Sequence, residues 1–248
     1  MKVLGIIPAR YSSSRFPGKP LVVIDGKSMI RRVCEQAMSC KGLSEVIVAT
    51  DDSSIENHVR GFGGRAVMTS IHHKSGTERC SEVYEKLMLG FAEYDVVINI
   101  QGDEPYIHPG QIEQIISSFD SNETMIASLM KRIVSSEELF NPNVVKVLSD
   151  INGKALYFSR AAIPFVRDRE TDTWLDYSNF YKHIGIYGYR PDVLMRIVKL
   201  PPSPIEAAES LEQLRWIDNG YEITLRETGF ESLAIDTPAD LLKLTNSH

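Results

Sequence analysis

The sequence predicts a doubly wound α/β domain built on a mostly parallel sheet. Three observations predict it. Short, continuously apolar runs such as Val3–Pro8, Glu45–Thr50 and Asp95–Ile100 read as strands covered on both faces. Longer stretches of helical spacing separate them. The chain has 248 residues with neither an internal repeat nor a linker long enough to divide it, so one large domain fits.

The elements follow in order. Val3–Pro8 is a first strand ending in proline. Ser28–Cys40 is a helix, because Met29, Ile30, Val33, Cys34 and Ala37 fall on one face. Glu45–Thr50 is a second strand, and Asp52 caps a helix running through Val59. Arg65–Met68 is a short third strand. Glu78–Phe91 is a helix with Thr77 as its cap, and Asp95–Ile100 is a fourth strand. A further helix starts near Pro109. Ile126–Met130, Val144–Leu148, Ala155–Phe158 and Lys182–Tyr189 read as strands, while Asp168–Tyr181 is polar and aromatic without a period. The run Pro201-Pro202-Ser203-Pro204 is a hard break. Glu206–Asn219 reads as one helix closed by Gly220, and a last strand near Leu233–Ile235 leads into a short helix from Pro238.

Composition narrows the function. The net charge of −6 lacks the basic excess of a nucleic-acid-binding module, although local cation clusters can still make an anion site. No run of about 18 apolar residues is present, so membrane insertion is not expected. The amino-terminal apolar run is short and ends at Pro8 and Arg10, unlike a signal peptide. Cys34, Cys40 and Cys80 cannot all pair within the chain and lack zinc-ligand spacing, which fits a reducing cytoplasm.

In an open parallel sheet, ligands bind beyond the carboxyl ends of the strands. The segment after the first strand, Pro8 to Pro20, carries Arg10, Arg15 and Lys19 with three serines and Gly18, a composition suited to a polyphosphate. It is not a P-loop, since Gly18-Lys19 runs into Pro20. Gly61-Phe62-Gly63-Gly64 has the letters of a dinucleotide fingerprint but follows a helix and enters a strand, so it reads as a helix end and turn. Asp103, just past the fourth strand, is placed to hold Mg²⁺ beside phosphates, because the next helix starts too late for it to be a cap. Asp236 precedes Thr237-Pro238; alone it reads as a cap, and with Asp103 it becomes a second metal carboxylate. Ser75-Gly76-Thr77-Glu78-Arg79 opens a helix whose amino end suits an anion or a base carbonyl. Arg160, His183, Tyr187 and Arg190 cluster in the polar-aromatic region, where an arginine can hold a carboxylate bidentately. His72 and His73, placed on one strand, would face opposite ways and make a poor metal site.

The blocks PARYSSSRFPGKPL, SGTER, QGDEP, YFSRAAIP, HIGIYGYR, LEQLR and IDTPADL together resemble the 3-deoxy-manno-octulosonate cytidylyltransferases, the CMP-Kdo synthetases. The resemblance runs from Ile7 to Leu241. The first block is shared with sialic acid synthetases, whereas HIGIYGYR with LEQLR points to the Kdo enzymes. It implies a nucleotidyltransferase fold over residues 1–248, with 1–150 and 200–248 as core and 151–199 as a sugar-pocket and dimerisation segment. It implies the reaction CTP + Kdo → CMP-Kdo + pyrophosphate with Mg²⁺, for lipopolysaccharide synthesis, by a cytoplasmic homodimer. Carried over, Ala9, Arg10, Lys19, Ser75, Gly76, Arg79 and Gln101 would bind CTP, with Arg15 assisting. Arg10, Lys19, Asp103 and Asp236 would act in catalysis, the two aspartates holding the metal. Arg160, His183, Tyr187, Glu212 and Gln213 would line the sugar-acid pocket. The SGTER, QGDEP and DTPADL blocks favour Kdo over its 8-amino analogue.

Three other readings are weighed beside it. A cytidylyltransferase for another acidic sugar predicts the same CTP loop with a different pocket around His183 and Glu212. A non-catalytic CTP-binding regulator could lose one metal carboxylate, yet Asp103 and Asp236 are both present. A dehydrogenase lacks its fingerprint after the first strand.

Overall fold

The structure is a computed structural model that describes residues 1–12, 16–90, 93–231 and 233–245. Arg15, expected to assist at the phosphates, lies outside the described residues.

The chain starts with β1 (Val3–Ala9), the hairpin β2 (Val23–Ile24) and β3 (Lys27–Ser28), and α1 (Met29–Ser39). Ser28 caps α1 by accepting from the Arg31 N–H, and the expected apolar face, Met29 to Ala37, is buried. Next come β4 (Glu45–Thr50), α2 (Ser53–Gly61), β5 (Arg65–Met68), α3 (Gly76–Met88) and β6 (Val96–Asn99). Asp52 caps α2, and Gly61–Gly64 is the helix end and turn that its context predicts. Then follow α4 (Pro109–Ser118), β7 (Ile126–Arg132), α5 (Ser136–Phe140), β8 (Lys146–Ser149), β9 (Ala155–Ser159), α6 (Trp174–Tyr177) and β10 (Tyr181–Tyr189). The chain closes with α7 (Pro191–Ile197), α8 (Pro204–Glu209), α9 (Glu212–Asp218), β11 (Ile223–Glu227) and α10 (Pro238–Thr245).

Among the described residues the main sheet has nine strands, with the central order β11-β7-β10-β6-β1-β4-β5. Neighbouring pairs are parallel except at β10, which runs against both β6 and β7. β8 and β9 extend from β10 as an antiparallel pair. Helices cover both faces: Ile30, Val33, Ile55, Val59, Ile112 and Ile115 pack on one, and Cys80, Val83, Leu194, Leu214 and Trp216 on the other. Cys34, Cys40 and Cys80 are buried and free. Within 151–199, β10 and α7 belong to the main layers, while Trp174 and Phe180 join Ile133 and Leu139 from the preceding segment in a small cluster of their own. Among the described residues no helix is long and apolar enough to cross a membrane.

Three local expectations are corrected. The single helix expected over 206–219 is two, because Ser210 takes a left-handed φ of 53° between α8 and α9. No strand forms at 233–235; among the described residues that segment meets the 101–103 loop through the Ile235 N–H, which donates to the Asp103 carbonyl at 2.9 Å. His72 and His73 sit in a turn after β5, not on a strand.

Candidate active site

The loops after β1 and β6, the amino end of α3 and the 235–237 segment meet around an open pocket of about 240 Å³. Its walls include Ala9, Arg10, Lys19, Ser75, Gly76, Arg79, Gln101, Asp103 and Asp236. β1 and β6 are adjacent and parallel, so their carboxyl ends open side by side. The 101–103 loop presses so closely on β1 that a Cβ on Gly102 would lie 2.4 Å from the Pro8 carbonyl oxygen; only glycine fits.

Lys19 enters the pocket from a 3-10 turn over Lys19–Leu21, which starts at Gly18 with a left-handed φ of 70°. Its Nζ donates to Asp103 Oδ2 at 2.8 Å and to Asp236 Oδ1 at 3.2 Å. The two carboxylates therefore converge on one point, although 133 positions separate them in the chain. Ile235, fully buried with Ile24 and Met29, anchors the segment that delivers Asp236. The cap reading of Asp236 does not hold. Thr237 and Asp240 cap α10 reciprocally, the Asp240 N–H donating to Thr237 Oγ1 and the Thr237 N–H to Asp240 Oδ2 at 2.8 Å. His108 caps α4, which leaves Asp103 without a capping role.

The cations differ in how far they are committed. Arg10 is exposed and has no hydrogen bond or ion pair among the described residues, so its donors are open to a ligand. Arg79 is buried and occupied: Nη2 meets Asp51 Oδ2 at 2.5 Å, and Nη1 meets Thr69 Oγ1 at 2.7 Å and the Ser70 carbonyl at 3.1 Å. It shapes the wall by fastening the 69–70 segment to the end of β4. Sequence reading missed Lys74 and His73, both in the wall. His73 pairs with Glu82, fixing the turn ahead of α3. Lys74 is one residue before SGTER, and its charge so close to a helix amino end was the signal available.

Ser75, not Thr77, caps α3 by accepting from the Glu78 N–H at 3.2 Å. Thr77 is buried and donates to Glu212 Oε2 at 2.7 Å. Glu212 thus reaches from α9 to the first turn of α3, and burial raises its carboxyl above the usual range. Gln101 donates to the Gly185 carbonyl at 2.7 Å, joining the pocket to β10 at the bulge between Ile184 and Tyr187.

The residues expected to hold a sugar acid come from β10, from α9 and from the residue that follows β9. His183 bonds Ser128 Oγ through Nε2 at 3.0 Å and packs against Phe158 and Tyr187, with ring centroids 5.1 and 5.2 Å away. Burial pushes its imidazole down to about 3, so the ring is neutral at ordinary pH. Tyr187 on β10 and Gln213 on α9 are both buried. Arg160 follows β9, its Nε on the Glu209 carbonyl at 2.8 Å and its Nη1 on the Pro142 carbonyl at 3.0 Å. Arg190 stands apart, holding the carbonyls of Phe119, Ser121 and Thr124.

The family model described as Cytidylyltransferase matches residues 4–223. The 3-deoxy-manno-octulosonate cytidylyltransferase of Parabacteroides distasonis is 53% identical over 247 residues, covering 98% of this chain and 96% of that protein. The enzyme of the same name from Cytophaga hutchinsonii is 50% identical over 248 residues, covering 100% and 98%. A solved CMP:2-keto-3-deoxy-manno-octonic acid synthetase complexed with CTP superposes with a TM-score of 0.91 at 43% identity, covering 100% of this chain and 98% of that one. With this pocket at the ends of β1 and β6 and identity of this extent along its whole length, the chain belongs to the cytidylyltransferase family, among the 3-deoxy-manno-octulosonate cytidylyltransferases.

Proposed function

We infer that the chain performs the reaction for which its relatives are named, transferring CMP from CTP to Kdo with release of pyrophosphate. The observation that carries this is the meeting of Lys19 with Asp103 and Asp236 in a pocket walled by the PAR, SGTER and QGD segments. The anomeric hydroxyl of Kdo attacks the α-phosphorus of CTP. A new P–O bond forms there as the bond to the β-phosphate oxygen breaks in line with it. Arg10, with its donors open, and Lys19 oppose the negative charge that builds on the phosphates. The amino end of α3, with Ser75 and Gly76 in the wall, offers backbone N–H donors to the nucleotide.

Mg²⁺ is the proposed cofactor, with Asp103 and Asp236 as its protein ligands. Two hard carboxylate oxygens that already share one ammonium suit such a cation. Among the described residues no third His, Cys, Asp or Glu joins them, so water and phosphate oxygens would fill the remaining positions. When bound, the ion supplies charge neutralisation on the phosphates and a lowered pKa for the attacking hydroxyl. His183, Tyr187, Glu212, Gln213 and Arg160 form the Kdo side, and the Gln101 bond to Gly185 holds it against the CTP side.

We further propose a homodimer formed through the face around the small cluster. Phe140 and Phe165 both pack on Trp174, and Val134, Phe165 and Tyr177 are 81%, 75% and 55% exposed, an apolar face suited to a second copy. A cytoplasmic role in lipopolysaccharide synthesis is in keeping with three free thiols and with Kdo as acceptor. The test is pyrophosphate release from CTP with a panel of sugar acids. Release with Kdo and little with sialic acid is expected; release with sialic acid alone would refute the assignment. Light scattering after size-exclusion chromatography tests the dimer, and Phe165→Asp should yield monomer.

A further inference from the structure

Lys146 is fully buried on β8, yet among the described residues its ammonium meets no carboxylate. Nζ donates to two backbone carbonyls, Asn141 at 2.8 Å and Val144 at 2.5 Å. Arg160 is held the same way, on the carbonyls of Glu209 and Pro142. Both cations grip the 141–144 turn, and strand pairing brings them there: Lys146 stands opposite Ser159, the residue before Arg160. Carbonyls orient a cation without cancelling its charge.

The anion beside them is Glu209, whose carboxylate is directed elsewhere. It accepts from Ser159 Oγ at 2.6 Å and from the Arg160 backbone N–H at 2.9 Å. Two cations and one carboxylate leave a local excess of one positive charge. Lys182 shows the ordinary arrangement: it is nearly as buried, pairs with Lys146 across the β10–β8 ladder, and binds the carboxylates of both Glu138 and Glu231. A buried ammonium is costly unless paired, and burial together with the charge of Arg160 pushes the Lys146 pKa down. The Nη2 group of Arg160 has no hydrogen-bond partner among the described residues, so the guanidinium keeps an open side.

We propose that Lys146 acts with Arg160 as the charge pair that selects a sugar bearing a carboxylate. Arg160 contacts that carboxylate, and Lys146 is a positioning residue that holds the 141–144 turn and adds uncompensated charge behind it. This deepens the Kdo-transfer reading and rests on it.

The test compares the wild type with Lys146→Met and Glu209→Gln. It measures KM for Kdo and CTP, and inhibition by the C1 carboxamide of Kdo, which keeps the shape and lacks the charge. Lys146→Met should reduce the preference for acid over amide about tenfold or more, with the CTP KM held within about twofold. Glu209→Gln keeps an amide oxygen to accept from the Arg160 N–H and removes the local anion, so the same preference should rise. Equal weakening of acid and amide in Lys146→Met, or a fall of the preference in Glu209→Gln, would overturn the proposal while leaving cytidylyl transfer intact. If Lys146→Met does not fold, Glu209→Gln decides alone. Absence of Kdo turnover in the wild type would instead remove the transfer reading and this proposal with it.

Discussion

Asp236→Asn separates a metal ligand from a structural aspartate. The side chain of Asp236 is 40% exposed and that of its partner Lys19 is 13% exposed. A partly exposed ion pair of this kind contributes about 0–1 kcal/mol, and Lys19 keeps Asp103 at 2.8 Å after the substitution. The helix cap is untouched, because Thr237 and Asp240 provide it. At about 2–4 °C per kcal/mol for a chain of this size, the melting temperature should fall by no more than about 4 °C. Activity should fall at least about 100-fold, since a neutral amide replaces a carboxylate where charge on the phosphates must be managed. Asp103→Asn should match it, and the double variant should be little worse than either, because the two carboxylates act as one unit. The assays are thermal melting and Mg²⁺-dependent pyrophosphate release on the same preparations. Full activity in Asp236→Asn would reduce the residue to a partner for Lys19; a loss of stability well beyond about 4 °C would make it structural.

Lys19→Ala should lower CTP turnover about 10²–10³-fold in a folded protein. Its melting temperature should respond more to Mg²⁺ than the wild type's, because Asp103 and Asp236 lose the cation they share. Gly102→Ala should impair both melting temperature and activity, since the new Cβ meets the Pro8 carbonyl and lifts the 101–103 loop from β1; unchanged turnover would refute that close approach. His183→Gln should raise KM for Kdo more than KM for CTP. The folded imidazole titrates near 3 against an ordinary value of 6.5, so below 6.5 the unfolded chain takes up a proton that the folded chain refuses. Stability is lost as pH falls through that window, and urea titrations at pH 7 and pH 5 should show a smaller drop in the variant than in the wild type.

Local signals made much of the first half legible. The capping oxygens of Ser28 and Asp52 and the spacing of Met29 to Ala37 act within one turn of helix, and those elements form where the pattern places them. Ser210 carries no such signal. Its left-handed backbone breaks the 206–219 stretch without a glycine or asparagine to announce it. β11 escaped because its apolar residues are only Ile223 and Leu225. At the site, the rule that ligands gather at strand ends located Arg10, Lys19 and Asp103. What could not be read was commitment. Whether Arg79 is open or tied to Asp51, and whether Arg160 meets a carboxylate or a carbonyl, depends on partners 28 and 49 positions away.

The place of β10 bears on how the chain is made. Tyr187 pairs with Asn99 on one side and with Ser128 on the other, so the middle of the sheet closes only when residues 181–189 arrive. They lie in the last third of the chain. Until they emerge from the ribosome, β6 and β7 cannot be bridged, and each presents a row of unpaired amides and carbonyls. Such edges recruit strands from other chains, and pairings of this sequence separation form slowly. Truncations that stop before residue 181 should therefore aggregate, whereas the complete chain buries both edges with one strand.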